Sequence, residues 1–268
     1  MHSVSEKAAQ NLLRIREKRP LIHSITNFVT INFTANTLLA MGAAPVMAHA
    51  GSEVEEMAGI ADALVLNIGT LSEDRIGSMI RAGKKYNDCG KPVIFDPVGA
   101  GATAYRTYSA RKILREVQIH LVRGNATEIL SLEKAAADSK GVDAAHTVEA
   151  AMETAGRVAE KFHTTVAVTG PVDMITDGSR RIRILNGHPL MGRVTGAGCA
   201  ATAAAGAFAA VDPDPFDAAA AALCFFGLAG EVAGQKASGP GSFAVEFLDA
   251  LYNLSPEDLK NRSRVEVS

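Results

Sequence analysis

Residues 92–101 read PVIFDPVGAG, an apolar run of strand length that leads directly into a glycine-rich loop starting with Asp96. Residues 93–95, and a second run at 166–168, are apolar at every position. Strands that are apolar on both faces are typical of parallel sheets covered by helices on both sides. The two runs therefore predict a parallel α/β sheet, with Asp96 at the carboxyl edge where such sheets bind ligands.

Short apolar runs alternate with helix-length segments along the rest of the chain, which predicts a three-layer α/β/α fold. The predicted strands are 21–25, 45–48, 63–67, 92–96, 120–122 and 165–169, and the predicted helices are 32–41, 53–60, 72–87, 110–116, 148–162, 199–210, 216–233 and 245–251. Residues 173–176 and 181–185 flank Asp177 and Gly178, which predicts a hairpin closed by a tight Asp-Gly turn. We therefore expect a mostly parallel central sheet with an antiparallel hairpin at one edge.

The 268 residues are predicted to form one domain, residues 1–268, because no repeat or linker divides them. Residues 139–145 are predicted to be a polar loop between two helices. The apolar stretch 218–233 is mostly alanine and carries Glu231, so it predicts a buried helix and no membrane span.

Composition narrows the function classes. The net charge of −2, the 5% aromatic content and the lack of a basic block argue against a nucleic-acid partner. The three cysteines show no metal-ligand spacing, and their odd number does not fit a disulfide framework. These features, with a polar N-terminus that lacks an apolar leader, predict a cytoplasmic protein.

A second informative stretch is RVTGAGCAAT at residues 193–202, where Gly196 and Gly198 bracket Ala197 directly before an alanine-rich helix. Glycines free the backbone to turn its N–H groups toward one point in front of the helix. These amides and the helix dipole predict an anion site that suits a phosphoryl group during transfer. The same field is expected to lower the pKa of Cys199, so that the thiol acts as a base. The stretch predicts a small-molecule kinase.

Polar residues follow other predicted strands. Asp96 is either a turn residue or a Mg²⁺ ligand, since Mg²⁺ favours one or two carboxylates with phosphate oxygens. Asn125 and Glu128 match a capping box, which is compatible with a place for Glu128 near the metal. Arg123 has the planar donor pair that suits phosphate, and Thr169 either simply ends its strand or binds a nucleotide phosphate.

Two further strand ends carry Asn27 and Met47; the methionine is either core or the wall of a pocket for a small flat ring. Residues 99–101 and 196–198 imitate a dinucleotide fingerprint, but neither lies in a complete βαβ unit with an acidic partner. The chain contains no GxxxxGK[ST] motif, so the glycine turn before Cys199 must hold any nucleotide phosphates.

Seven blocks in order resemble the hydroxyethylthiazole kinase family: PLIHSITN (20–27), APVMAHA (44–50), LVLNIGTL (64–71), DPVGAGAT (96–103), RGNATEI (123–129), NGHPLM (186–191) and GPGSF (239–243). The resemblance extends over about residues 20–254 and implies a ribokinase-like fold. It further implies ATP-dependent phosphorylation of 4-methyl-5-(2-hydroxyethyl)thiazole for thiamine salvage, by a homotrimer with the thiazole site at a subunit boundary.

Carried over by motif, the resemblance places Asn27, Met47 and Gly196 at the thiazole, Arg123 and Thr169 at ATP, Asp96 and Glu128 in the Mg²⁺–phosphate network, and the turn of Gly196, Ala197 and Gly198 with Cys199 at the reaction centre. Cys199 stands where many ribokinase-like proteins carry an aspartate base. The chain departs from the common family pattern at Ser24, Ala144 and Ala197, none of which is proposed as an acid or base. Three alternatives stay open: a kinase for a related alcohol such as hydroxymethylpyrimidine, a nucleotide-dependent dehydratase, and a non-catalytic thiazole-binding module.

Overall fold

The strands belong to one sheet. The computed structural model describes residues 3–133 and 148–267, so the predicted loop at 139–145 lies outside the described residues. The strands are β1 (Leu21–Ile25), β2 (Ala44–Val46), β3 (Ala63–Asn67), β4 (Val93–Asp96), β5 (Leu121–Asn125), β6 (Thr165–Thr169), β7 (Asp173–Thr176), β8 (Arg181–Ile184) and β9 (Val265–Val267). Their order in the sheet is β2-β1-β3-β4-β5-β6-β7-β8-β9.

The helices of the described residues are α1 (Val4–Lys18), α2 (Ile31–Met41), α3 (Glu73–Asp88), α4 (Ala104–Glu116), α5 (Ala126–Glu133), α6 (Val148–Phe162), α7 (Ala197–Ala209), α8 (Pro215–Lys236), α9 (Pro240–Asn253) and α10 (Pro256–Arg262). They cover both faces of the sheet, so successive residues of a strand pack into two different hydrophobic cores. Val65 and Ile94 belong to one core, whereas Leu66 and Phe95 belong to the other. The predicted three-layer α/β/α fold is confirmed.

The sheet is parallel from β2 to β6 and antiparallel from β6 to β9. The predicted antiparallel edge is confirmed, and β9 extends it by a strand that the sequence pattern did not indicate. The register pairs Asn67 with Asp96 and Asn125 with Thr169. The carboxyl ends of the central strands are therefore level, which brings their polar residues to one edge.

Two local predictions are wrong. Residues 53–60 contain only a short 3-10 helix, Glu56–Gly59. The carbonyl groups of Ala58 and, just beyond, Ala61 accept hydrogen bonds from Lys91 Nζ at 2.8 and 2.7 Å, so this side chain satisfies backbone groups that a longer helix would otherwise pair. The β7–β8 hairpin has a four-residue connection in place of a tight Asp-Gly turn. Asp177 Oδ1 closes this connection by accepting the amides of Ser179 and Arg180.

The apolar stretch 218–233 lies in α8, which is the one helix in the described parts of the chain with the length and hydropathy of a membrane span. Its most apolar window is 83% buried inside the protein. Alanine and glycine dominate that window, so neighbouring helices approach closely. The predicted buried helix is confirmed.

Candidate active site

The carboxyl edge of the parallel sheet brings together five of the predicted functional residues and Asn67, which was not predicted. Across the edge, from β2 through β1, β3, β4 and β5 to β6, the residues are Met47, Asn27, Asn67, Asp96, Arg123 and Thr169. Residues far apart in the sequence become neighbours because the strand order differs from the chain order. The residues predicted to bind the acceptor therefore lie on one side of Asp96, and those predicted to bind the nucleotide lie on the other.

Asp96 is fully buried, and its two carboxylate oxygens have different surroundings. Oδ2 accepts hydrogen bonds from Asn67 Nδ2 at 2.9 Å and Thr202 Oγ1 at 2.8 Å, and Arg123 Nη1 lies 3.9 Å away. Oδ1 has no hydrogen-bond partner among the described residues. Burial raises the pKa of Asp96 to about 6, against the opposing effect of the Arg123 charge. One oxygen is thus fixed by Asn67 and Thr202, and the other is buried without a partner among the described residues.

The Arg123 guanidinium packs directly on the first turn of α7. A Cβ atom at Gly198 would lie 2.7 Å from Arg123 Nη1, which is too close for a normal contact. The Arg123 side chain is only 15% exposed. Because Gly198 has no side chain, the guanidinium reaches both the helix N-terminus and the Asp96 carboxylate.

The first turn of α7 contains free amides, but not all of the predicted ones: the Ala197 amide donates to the Val194 carbonyl at 3.4 Å. Its N-cap is Gly196, with a φ of 93° that favours glycine. The amide of Ala200 donates to the Gly196 carbonyl at 2.8 Å, whereas those of Gly198 and Cys199 have no acceptor within residues 3–133 and 148–267. Ala197 and Gly198 line a cleft. The free Gly198 amide therefore belongs to a residue that borders a space large enough for a phosphate, and the Cys199 amide follows it in the same turn.

Cys199 is mostly buried beside Asn27, whose Nδ2 lies 3.2 Å from the Cys199 sulfur. The predicted lowering of its pKa is wrong. Burial raises the pKa of the Cys199 thiol, and the Asp96 charge raises it further. The polar side chains of Thr30, Asn67 and Asn27 favour the thiolate but do not outweigh these two effects. Cys199 is therefore a protonated thiol at neutral pH.

The acceptor side of the edge is built around Asn27. Its Nδ2 also donates to Asn67 Oδ1 at 3.0 Å, and its Oδ1 accepts the Thr30 amide at 3.1 Å. Met47 lies in the neighbouring loop, where its carbonyl is 3.1 Å from His49 Nδ1. The His49 ring packs edge-on against Phe28, with 5.7 Å between centroids. The structure thus brings Met47 to the loop that carries Asn27.

The predicted capping box at Glu128 is confirmed. Glu128 Oε2 accepts the Asn125 amide at 2.8 Å, while Asn125 Oδ1 accepts the Glu128 amide at 2.9 Å. Glu128 Oε1 accepts the amide of Gly99 at 2.8 Å. The carboxylate therefore fixes the glycine loop after Asp96, and its charge contributes to the raised pKa of Asp96.

A cleft of about 490 Å³ opens on the nucleotide side of Asp96. It is lined by the predicted residues Arg123 and Thr169. Residues 186–189, Met191, Gly192 and Phe226, which the functional predictions did not include, also line it. Residues 186–192 pack directly on three glycines of α8. A Cβ atom at Gly227 would lie 2.5 Å from Asn186 O, and one at Gly230 would lie 2.4 Å from Met191 Sδ. A Cβ atom at Gly234 would lie 2.4 Å from His188 Cδ2. The i, i+3, i+7 spacing of these glycines is the sequence pattern that could have indicated that a chain segment packs against α8.

Sequence reasoning missed three polar residues of the site. Asn67 and Thr202 hold Asp96 Oδ2, and Asp173 lines the cleft. Burial raises the pKa of Asp173 to about 6, although the Gly170 amide and the Arg123 charge act in the opposite direction. Asn67 ends a predicted strand, and Thr202 lies one turn after Gly198. These positions are the only features of the sequence that indicated a place for the two residues in the site.

The α/β/α architecture, with its site residues at the carboxyl edge of the sheet, is a ribokinase-like fold that small-molecule kinases share. A structure of pyridoxal kinase from Staphylococcus aureus in complex with ADP shares this fold, with a TM-score of 0.63 and 16% identity over 92% of this chain and 97% of that one. The model of the hydroxyethylthiazole kinase family matches residues 12–257, and the chain belongs to this family.

Individual relatives agree with this assignment. A hydroxyethylthiazole kinase from Desulfotalea psychrophila is 56% identical over 100% of this chain and 98% of its own length. The structure of the hydroxyethylthiazole kinase protein from Pyrococcus horikoshii has a TM-score of 0.89 and 44% identity, over 97% of this chain and 98% of that one. The resemblance in the sequence blocks is confirmed.

Proposed function

We propose that the protein transfers the γ-phosphoryl group of ATP to the hydroxyethyl group of 4-methyl-5-(2-hydroxyethyl)thiazole, which supplies thiazole phosphate for thiamine salvage. The observation that carries this proposal is the position of the free Gly198 and Cys199 amides. They lie between the cleft lined by Arg123 and Thr169 and the acceptor side formed by Asn27. A phosphoryl group that moves between the two sides passes the helix N-terminus.

The direct experiment is incubation of the purified protein with ATP, Mg²⁺ and the thiazole alcohol, followed by product mass. We expect thiazole phosphate and one ADP for each product molecule. Hydroxymethylpyrimidine in a parallel reaction tests the related-kinase alternative. Nucleotide consumption without a phosphorylated alcohol would indicate a dehydratase, and binding of the thiazole without ADP release would indicate a non-catalytic module.

The residues around Asp96 suit a Mg²⁺ ion. The described residues contain no group of three or more metal-ligating side chains, but Mg²⁺ in kinases needs only one or two carboxylates with phosphate oxygens and water. The unpartnered Asp96 Oδ1 offers such a ligand, and Glu128 lies nearby. When bound, Mg²⁺ neutralises charge on the transferring phosphates. Asp96 and Glu128 would hold it, and Arg123 would bind the phosphates.

Charge neutralisation is expected to contribute more to the rate than deprotonation of the alcohol, because phosphoryl transfer has a loose transition state. We propose that Arg123 and the amides of Gly198 and Cys199 bind the phosphoryl oxygens. The small fraction of Cys199 that is present as the thiolate then takes the alcohol proton late in the transfer, which gives the neutral thiol. Its raised pKa limits the thiolate fraction, so this contribution is small.

We predict that Cys199→Ala lowers kcat by about 10²-fold, at the low end of general-base effects, and leaves the KM for ATP unchanged. Cys199→Asp is expected to keep most of the activity, because a carboxylate can take the same proton. Steady-state kinetics of both variants check this pair. A Cys199→Ala enzyme with wild-type kcat would reject the proton-accepting role.

Activity is expected to fall below about pH 6. Asp96 is charged above its raised pKa and neutral below it, so acid removes a cation ligand. We predict that the Mg²⁺ concentration for half-maximal rate rises about tenfold for each pH unit below that value. Asp173 titrates in the same range, so Asp173→Asn is the control. If the Asp173→Asn enzyme still loses activity below about pH 6, the loss is assigned to Asp96. If that loss of activity disappears, it is assigned to Asp173.

We also propose a cytoplasmic homotrimer with the acceptor site at the subunit boundary. The support is apolar surface beside Asn27, where Phe28 is 56% and Val29 is 69% exposed. Apolar side chains so exposed next to a site are typical of subunit contacts. Light scattering of the purified protein measures the assembly, and a monomeric mass would contradict the trimer.

A further inference from the structure

Arg75 is a buried cation beside the acceptor loop. It lies in the first turn of α3, is 8% exposed, and donates from Nη2 to the carbonyl of Thr26. Its Cζ atom lies 4.3 Å from the centroid of the Phe28 ring. Asn27 stands between these two contacts in the chain, and its side chain contacts Cys199. One guanidinium thus holds both neighbours of Asn27.

The burial of the Arg75 charge is only partly compensated by hydrogen bonds. Nε and Nη1 of Arg75 have no hydrogen-bond partner among the described residues. Within those residues Arg75 also forms no ion pair. A buried cation that lacks such partners is costly, and a methionine of similar length would fill the space without that cost. The two contacts that Arg75 makes and a methionine could not make are the hydrogen bond to Thr26 and the cation–π contact with Phe28.

We propose that Arg75 is a positioning residue for the acceptor alcohol. It binds the Thr26 carbonyl and the face of Phe28 at once, and so fixes the Asn27 side chain against Cys199. This inference rests on the proposed function. Small displacements of a positioned group have large kinetic effects, so its loss acts on the alcohol and not on the nucleotide cleft.

The test compares Arg75→Met and Arg75→Lys with a matched control, Arg16→Met. Arg16 in α1 also donates to a backbone carbonyl, that of Tyr252 at 2.9 Å. It packs against Gly42, which precedes β2 and therefore lies at the amino end of the strands, whereas the site lies at their carboxyl end. Steady-state kinetics give KM for the alcohol and for ATP, and thermal unfolding gives Tm.

We expect Arg75→Met to raise the KM for the thiazole alcohol roughly tenfold, with less than about a twofold change in the KM for ATP. Arg75→Lys keeps the charge but reaches only one of the two contacts, so its KM is expected to lie between wild type and Arg75→Met. Arg16→Met is expected to change Tm only. If Arg75→Met and Arg75→Lys keep the wild-type KM for the alcohol, or raise the KM for ATP equally, the positioning role is overturned. Absence of turnover in the wild type would reject the proposed function itself.

Discussion

Asp96→Asn is expected to lower kcat about 10³-fold, which corresponds to ~4 kcal/mol of transition-state stabilisation. The amide oxygen can accept the same hydrogen bonds from Asn67 and Thr202, with the amide nitrogen in place of the unpartnered Oδ1. The substitution therefore removes a negative cation ligand without breaking the packing around it. The variant should bind ATP but lose the saturating response to Mg²⁺.

The matched control is Asp212→Asn. Asp212 is also buried, at 7% exposure, and accepts hydrogen bonds from Asn11 and the Asp214 amide. It follows the C-terminal end of α7, whereas the site lies at the N-terminal end. We expect Asp212→Asn to affect stability without changing the Mg²⁺ titration. An unchanged Mg²⁺ titration in Asp96→Asn, measured as rate against Mg²⁺ concentration, would reject the metal role of Asp96.

Gly198→Ala is expected to lower kcat about 10²-fold while leaving the protein at least as stable as wild type. The added methyl group would lie 2.7 Å from Arg123 Nη1, so the guanidinium must move away from the helix N-terminus and from Asp96. Alanine is a better helix former than glycine by about 1 kcal/mol, and position 198 lies in α7. Kinetics and thermal unfolding of the same preparation measure the two effects.

A double-mutant cycle identifies the cause. If the methyl group acts by displacing Arg123, then Gly198→Ala in an Arg123→Ala background should cost nothing further. Gly77→Ala is the control, because Gly77 lies in α3 and a Cβ there would contact no other atom within 4 Å. Additive losses in the double variant would show that the Arg123 contact is not the mechanism.

The sequence predicted the layers and most elements correctly because the central strands are apolar on both faces, as in residues 93–95 and 166–168. The predictions for residues 53–60 and for the hairpin turn were wrong for a common reason. Lys91 and the side chain of Asp177 satisfy backbone groups there, and local sequence patterns do not show such partners. The short strand β9 was missed because it forms only by pairing with β8.

The site residues also divide into those whose roles depend on sequence neighbours and those whose properties depend on residues far away in the chain. Gly196, Gly198 and the Glu128 capping box were visible because their roles depend on neighbours in the sequence. The raised pKa of Cys199 was not visible, since it results from burial and from Asp96, which is 103 residues away in the chain. The assigned roles of Asn27, Met47, Gly196, Arg123, Thr169, Asp96, Glu128 and Cys199 stay predictions until substrates are bound.

The most direct test of the account is a crystal structure with a non-hydrolysable ATP analogue, Mg²⁺ and the thiazole alcohol. The measured quantities are the distances from the γ-phosphate oxygens to the Gly198 and Cys199 amide nitrogens. We predict hydrogen-bond distances of about 2.7–3.2 Å to both amides, with the alcohol oxygen beside Cys199. A γ-phosphate held elsewhere, with these two amides bound only to water, would contradict the account.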